Sequence, residues 1–288
     1  MASGWPDVDR SDFLAAIVAN RAGDHVAAAS LTLAAGLPTL VEKPVAIGEG
    51  EVRGLVDCAA RNATMLAASN VFQFARYVDA FGSLVRSKER IQAITVAWSD
   101  PAREIRHGEV KSYDVSLPVV DDVLPHVVPL VLRFGVTDLV PTTVSISRGG
   151  QRVEIAMTAD RSAACTLVLE RNGTARQRSI RVASESGEFA LDFAQEPGVI
   201  ATPEGSIDGD PDWTRELRPL ARMLESFMHS ASSKVPDPRL SPEHAVKSAR
   251  VADLVRPLYL QRQLEWLETL PRTAGGEDAA YARRERGV

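Results

Sequence analysis

The stretch LPTLVEKPVAIGEG, residues 37–50, decides how this chain is to be read. Thr39, Leu40 and Val41 are branched or apolar and suit a buried strand. Glu42 and Lys43 follow, opposite charges side by side. Pro44 then ends the ladder, because it has no N–H to donate. The order places a lysine at the carboxyl end of a strand, where open α/β sheets bind their ligands. A lysine there can hydrogen-bond a substrate hydroxyl and favour a developing alkoxide. The competing reading is an ordinary loop lysine.

The flanking sequence supplies the sheet. FLAAIVAN (13–20) reads as a buried strand, and DHVAAASLTLAAG (24–36) as a helix closed by Gly36. EGEVRGLVDCAARN (49–62) is a helix with Val52, Leu55, Val56 and Ala59 on one face. TMLAASNVF is a further strand, and the β-α-β-α-β alternation predicts a parallel sheet. A helix over about 74–89 leads out of it. The period then switches to two: RIQAITVAWSD, TTVSISRG, QRVEIAMTAD, AACTLVLER, ARQRSIRVAS and EFALDFAQ alternate like half-buried strands separated by turns such as RNGT and SESGE. Helical patterns return at 213–230, with Leu217, Leu220, Leu224 and Phe227 in phase, and at 242–270. The predicted class is α/β: a truncated parallel Rossmann-like sheet (1–73), an α+β domain with a mostly antiparallel sheet for substrate and oligomerisation (74–270), and a flexible tail (271–288).

Composition excludes some functions. The 288 residues carry 33 Lys and Arg against 38 Asp and Glu, a net charge of −5. That balance argues against nucleic-acid binding, which needs a basic field. The most apolar stretch, VLPHVVPLVLRFGV, is interrupted by His126, Pro129 and Arg133 and is too short to span a bilayer. The N-terminal residues have no apolar signal region. Cys58 and Cys165 both sit in apolar runs, as reduced thiols of a cytoplasmic protein do. No Cys, His and carboxylate spacing suggests a zinc site.

Asp122 and His126 lie four residues apart, so on a helix they share a face. A carboxylate beside an imidazole orients it, and the imidazole can then move a proton near neutrality. The alternative is a buried histidine satisfied by a carbonyl, with Asp122 as a helix N-cap and Pro129 kinking the helix. His25 opens a helix after ANRAGD, with Asp24 as its cap. His107 lies in a charged loop and reads as solvated. GEGEVRG holds three glycines, Gly48, Gly50 and Gly54, but lies past the strand end. Glu49 and Glu51 there favour the helix dipole and repel a pyrophosphate.

Two segments together resemble the Gfo/Idh/MocA oxidoreductase family. IVANRAGDHVAAASLTLAAGLPTLVEKP is similar to its strand, His-bearing helix, glycine and Glu-Lys-Pro signature; DDVLPHVVPLV is similar to its Asp-x-x-x-His helix. The resemblance covers roughly residues 12–270. It implies NAD or NADP bound on an N-terminal Rossmann domain and redox chemistry on a small carbonyl, hydroxyl or imine substrate. It implies Lys43, Asp122 and His126 as the catalytic group, and Asn20, His25, Glu42 and Lys43 as residues on the cofactor side. The departures are definite. The Gly-x-Gly-x-x-Gly turn and the strands that precede it in that family have no counterpart here. Pro129 stands where the family often has another Asp, and Gln73-Phe74 where it often has Arg-Phe.

Three functions follow. One is a nicotinamide-dependent oxidoreductase whose nucleotide-binding half comes from a separate chain or from upstream sequence. Another is a nucleotide-independent lyase, isomerase or cyclase using the Lys/Asp/His group. The third is a non-catalytic partner subunit. A run of strands with too few helices to cover both faces further predicts a homo-oligomer.

Overall fold

The computed structural model of the chain describes residues 13–87, 90–106, 109–110, 116–159 and 163–270. The expected tail, 271–288, and His107 lie outside the described residues. A three-stranded parallel sheet comes first, formed by β1 (Ala16–Val18), β2 (Thr39–Val41) and β3 (Leu66–Ala68) in that spatial order. The connecting helices α1 (His25–Ala34) and α2 (Glu49–Arg61) bury Ala29, Leu33, Val52 and Leu55 against it. Later in the chain, α5 (Pro219–Ser233) lays Met223 and Phe227 on Leu40 and Ala67.

β1 differs from the buried strand expected over 13–20. Three residues pair, Ile17 is 54% exposed, and Phe13 and Leu14 are exposed as well. The cause is lateral: among the described residues β1 has a neighbour, β2, on one side alone. Apolar residues suited to an interior strand therefore meet solvent at an edge.

Helix α3 (Arg76–Arg86) leads into an eight-stranded sheet. Its strands are β4 (Ile91–Pro101), β7 (Leu139–Ser147), β8 (Arg152–Ala159), β9 (Ala164–Gly173), β10 (Gln177–Ser184), β11 (Gly187–Asp192), β12 (Val199–Thr202) and β13 (Gly205–Asp208). The order is β13-β12-β11-β10-β4-β9-β8-β7, antiparallel except for the central β4–β9 pair. A short ribbon, β5 (Ile105–Arg106) with β6 (Glu109–Val110), stands apart. The alternation read from the sequence is visible as two faces. Ile94, Val96, Leu167, Leu169, Ile180 and Val182 point inward under α3, α4 (Val119–Leu132) and α6 (Glu243–Thr269). Each such fully buried side chain contributes roughly 1.5–3 kcal/mol. Helix α6 joins the two cores, placing Val246 and Ala249 on the small sheet and Val251, Ala252, Val255 and Tyr259 on the large one.

Some element boundaries depart from the pattern. The hairpin β12–β13 was not anticipated, because VIATPEGSID lacks a run of alternating apolar residues and β13 is exposed along its length. Helix α5 starts at Pro219 rather than 213, with the proline in the first turn where its missing N–H costs little. Leu217 and Leu220 are exposed, while Phe227 is buried and Leu224 packs beside it as expected, joined by Met223 and Ala231. Cys165 is buried on β9, and burial pushes its thiol up to about 12; Cys58 on α2 is half-buried. A thiol reagent is expected to modify Cys58 in the native chain and Cys165 only after denaturation, read as one and then two modified thiols by mass spectrometry.

Candidate active site

The carboxyl ends of β2 and β3 face the first turn of α4. That helix begins at Val119 with Pro118 as its cap, so Asp121 and Asp122 lie inside the helix rather than at the cap, near its positive end. It runs through Pro125 and Pro129 as one element. Lys43, just past β2, reaches it: its Nζ donates to Asp122 Oδ1 at 2.5 Å and to the Asp122 carbonyl at 3.2 Å. The second carboxylate oxygen accepts from Arg171 Nη2 at 2.9 Å, at the end of β9. Arg171 also donates to the Leu117 carbonyl, which ties β9 to the start of α4. Burial alone would raise the Asp122 carboxyl. The Lys43 charge and hydrogen bond, then Arg171 and His126, bring it down to about 2. The carboxylate is therefore ionised throughout the neutral range.

His126 follows one turn later on the same helix, half-buried. Its ring stacks on Trp98 of β4, with centroids 4.9 Å apart and planes within 14°. Phe72 meets it edge-on at 5.8 Å. The Arg178 guanidinium lies 3.7 Å from the centre of the same indole and pairs with Asp100 at 2.5 Å. An aromatic shelf thus fixes the plane of the imidazole. Two adjoining clefts lie beside these groups. One, a narrow cleft, is lined by Lys43, Asn70, Asp121 and Pro125. The other, narrower still, is lined by Asn70, Phe72, Pro125 and His126.

The residues expected on the cofactor side have other partners here. His25 is buried, with Nδ1 2.7 Å from the Pro44 carbonyl and Nε2 3.1 Å from the Asn20 carbonyl. It braces the segment after Lys43 against the exit of β1. Asn20 itself is exposed. Glu42 accepts from Ser69 Oγ at 2.7 Å and from the Lys43 backbone N–H at 3.2 Å, clamping the ends of β2 and β3 together. Gln73 donates to the Pro129 carbonyl and accepts from Arg133, so two of the departures from the family pattern touch each other. Arg171, Trp98 and Asn70 were missed by the sequence reading. Each stands at the end or inside of a strand pattern with no local signal of its partner.

A nicotinamide dinucleotide needs backbone N–H groups for its pyrophosphate. At the N-terminus of α2, beside the glycines 48, 50 and 54, two such groups are already taken. The Gly48 N–H is accepted by Glu51 at 3.2 Å and the Glu49 N–H by Asp253 at 2.9 Å. Glu49 and Glu51 also bring negative charge to that helix start. Among the described residues, no group of His, Cys, Asp and Glu could hold a metal ion, and no helix is long and apolar enough to cross a membrane.

The arrangement of a small parallel α/β sheet followed by a large mixed sheet is shared with solved structures. Among solved structures, the UDP-N-acetylglucosamine 3-dehydrogenase of Acidithiobacillus ferrooxidans matches with a TM-score of 0.71 at 18% identity, over 88% of this chain and 80% of that one. The 3-ketoreductase of Actinomadura kijaniata, in complex with TDP-benzene and NADP in an open conformation, matches with a TM-score of 0.71 at 15% identity, over 86% and 78%. GenD2 from gentamicin A biosynthesis, in complex with NAD, gives 0.68 at 17%, over 85% and 75%. At these identities the likeness is one of fold. No protein-family model matches the sequence. No curated protein matches it either.

Proposed function

We propose that this chain is the substrate-side part of an oxidoreductase acting on a small carbonyl, hydroxyl or imine compound. One observation carries the reading: Lys43 and Asp122, 79 residues apart in sequence, meet at 2.5 Å at the strand ends, with His126 one helical turn further on. Lys43 polarises the substrate oxygen, His126 moves the proton, Asp122 holds the cation in place, and Trp98 and Phe72 hold the imidazole. A nicotinamide cofactor, NAD or NADP, would supply the hydride. The fold likeness to structures solved with NADP and NAD supports the same reading.

The carboxylates at the α2 N-terminus favour a second reading, in which the same group works without a nucleotide. Product formed from a candidate substrate and [4-²H]NAD(P)H separates them. Deuterium carried from the nicotinamide supports the oxidoreductase. Conversion without nicotinamide, with label entering from D₂O alone, supports a lyase or isomerase. No conversion, in a complex insensitive to Lys43→Met, leaves a partner subunit. Alone, this chain is expected to bind NADH and NADPH weakly, with no saturation below ~100 μM, because several charge-assisted hydrogen bonds to the pyrophosphate are lacking. Fluorescence titration checks this, and low-micromolar binding would contradict it.

The outer face of the large sheet supports a homodimer. Thr95 and Ala97 of β4, Thr166 and Val168 of β9 and Ala156 of β8 point away from the helices, small or branched and only partly exposed. A flat face of this kind packs against a second copy. Light scattering is expected to give a dimer at micromolar concentration, and Val168→Arg a folded monomer. A monomeric wild-type chain would rule the interface out.

A further inference from the structure

The polar side chains around the two clefts are almost all committed. Ser69 donates to Glu42, Ser248 to the His244 carbonyl, and Asp121 accepts from Arg256. Gln73 is engaged at both ends of its amide. Asn70 is the exception. It follows β3, its residue is 9% exposed, and its side-chain nitrogen is buried without a hydrogen-bond partner. It caps the short 3₁₀ turn Val71–Phe74 in position only, since its side chain makes no cap bond. The backbone around it is fixed, Asn70 N–H donating to Ala68 and Gln73 N–H to Asn70, each at 2.9 Å. Asn70 lines both the Lys43 cleft and the His126 cleft.

A buried amide donor with nothing to meet is a cost that native proteins rarely leave standing without a functional reason. We infer that Asn70 is a ligand-binding residue: its side-chain amide donates to an acceptor oxygen of the molecule held between Lys43 and His126. That oxygen belongs to a small neutral group, either the carboxamide of a nicotinamide or the carbonyl or hydroxyl of the substrate. The lining favours an acceptor. Asp121, which lines the Lys43 cleft, is already capped by Arg256, and Asp122 beside it by Lys43 and Arg171. Ligand hydroxyl donors therefore find few free acceptors, whereas Asn70 has donors unused.

The inference rests on the Lys43–His126 cleft being the ligand site, and not on hydride transfer. Binding is therefore measured without turnover. In the full-length chain labelled with ¹⁵N, the Asn70 side-chain pair is assigned by its loss in Asn70→Ala. Reduced nicotinamide mononucleotide and dihydroxyacetone are then titrated separately. One of the two is expected to shift the Asn70 pair, and which one identifies the source of the oxygen. Dissociation constants from the backbone amides of Val71 and Gln73 are expected to rise about tenfold in Asn70→Ala and Asn70→Asp, the usual worth of one hydrogen bond. Thr269→Ala, whose hydroxyl is spent on its own helix far from both clefts, is expected to bind as wild type. The melting temperature of Asn70→Ala is expected to stay level or rise, because an unsatisfied group has been removed. If neither probe shifts the pair up to its solubility limit, or Asn70→Ala binds equally well, the assignment is overturned. A fall of several degrees in melting temperature with unchanged binding would make Asn70 structural, and also overturn it. Binding as expected with no hydride transfer would refute the oxidoreductase reading and leave Asn70 in place.

Discussion

Asp122→Ala is expected to lower the unfolding free energy by about 3 kcal/mol and to remove activity together. Its carboxylate neutralises two cations, Lys43 at 2.5 Å and Arg171 at 2.9 Å, whose side chains are 24% and 13% exposed. Without it, both charges stay largely out of water and face each other. Removing one partner from a buried ion pair costs roughly 3–5 kcal/mol, and partial exposure puts this case at the low end. The double variant Asp122→Ala with Lys43→Met should recover part of the loss, since one stranded cation is gone. The pH dependence has a defined sign. The carboxyl is held at about 2 in the fold, below the roughly 3.9 of an unfolded aspartate. Its contribution is thus complete above about pH 4 and is lost as the pH falls toward 2. Urea denaturation from pH 2 to pH 7 should show a slope in that window for wild type and a flatter one for Asp122→Asn. Equal stabilities at pH 7 would mean that the ion cluster is incidental. An Asp ionised from pH 4 upward also cannot donate a proton near neutrality, so in the proposed reaction that task falls to His126.

The site was legible where its chemistry is local. Glu42-Lys43-Pro44 marks a strand end by the proline alone, and Asp122 with His126 share a helix face by spacing alone. What could not be read locally is what those groups touch. Arg171 sits in LVLERNG, where a Glu-Arg-Asn run looks like the polar end of a hairpin. Its partner is 49 residues away and meets it only because β9 runs parallel beside β4, under α4. Trp98 fits its strand as an inward apolar residue, and its stacking on His126 depends on where α4 crosses the sheet. His25 could be read either way, and the sequence gives no sign of the two carbonyls, of Pro44 and Asn20, that its ring meets. Alternation gave the six long strands of the large sheet and could not reveal β12–β13, whose residues are mostly exposed. The expectation for β1 erred because periodicity says which residues are apolar, not whether a neighbouring strand covers them.

His126→Ala is expected to reduce turnover of a competent substrate by about 10²–10⁴-fold while leaving the fold intact. Its ring lies against Trp98 and Phe72 and is half-buried, so its loss opens a small gap at a cleft rather than a hole in the core. The kinetic signature matters more than its size. A proton-transfer group acts in the transition state, so kcat should fall with little change in KM. Added imidazole should restore part of the rate, because the cleft then has room for it. Trp98→Leu tests the shelf separately. It keeps the histidine and removes the flat surface beneath it, so a loss of about tenfold or more in kcat is expected from misorientation. The Arg178–Asp100 pair also loses its indole cover in that variant, and its melting temperature is the necessary control. If His126→Ala turns over within threefold of wild type, proton transfer belongs to another group or to water. Lys43 would then be the remaining residue able to act on the substrate oxygen, and a Lys43→Met chain with no residual activity would identify it.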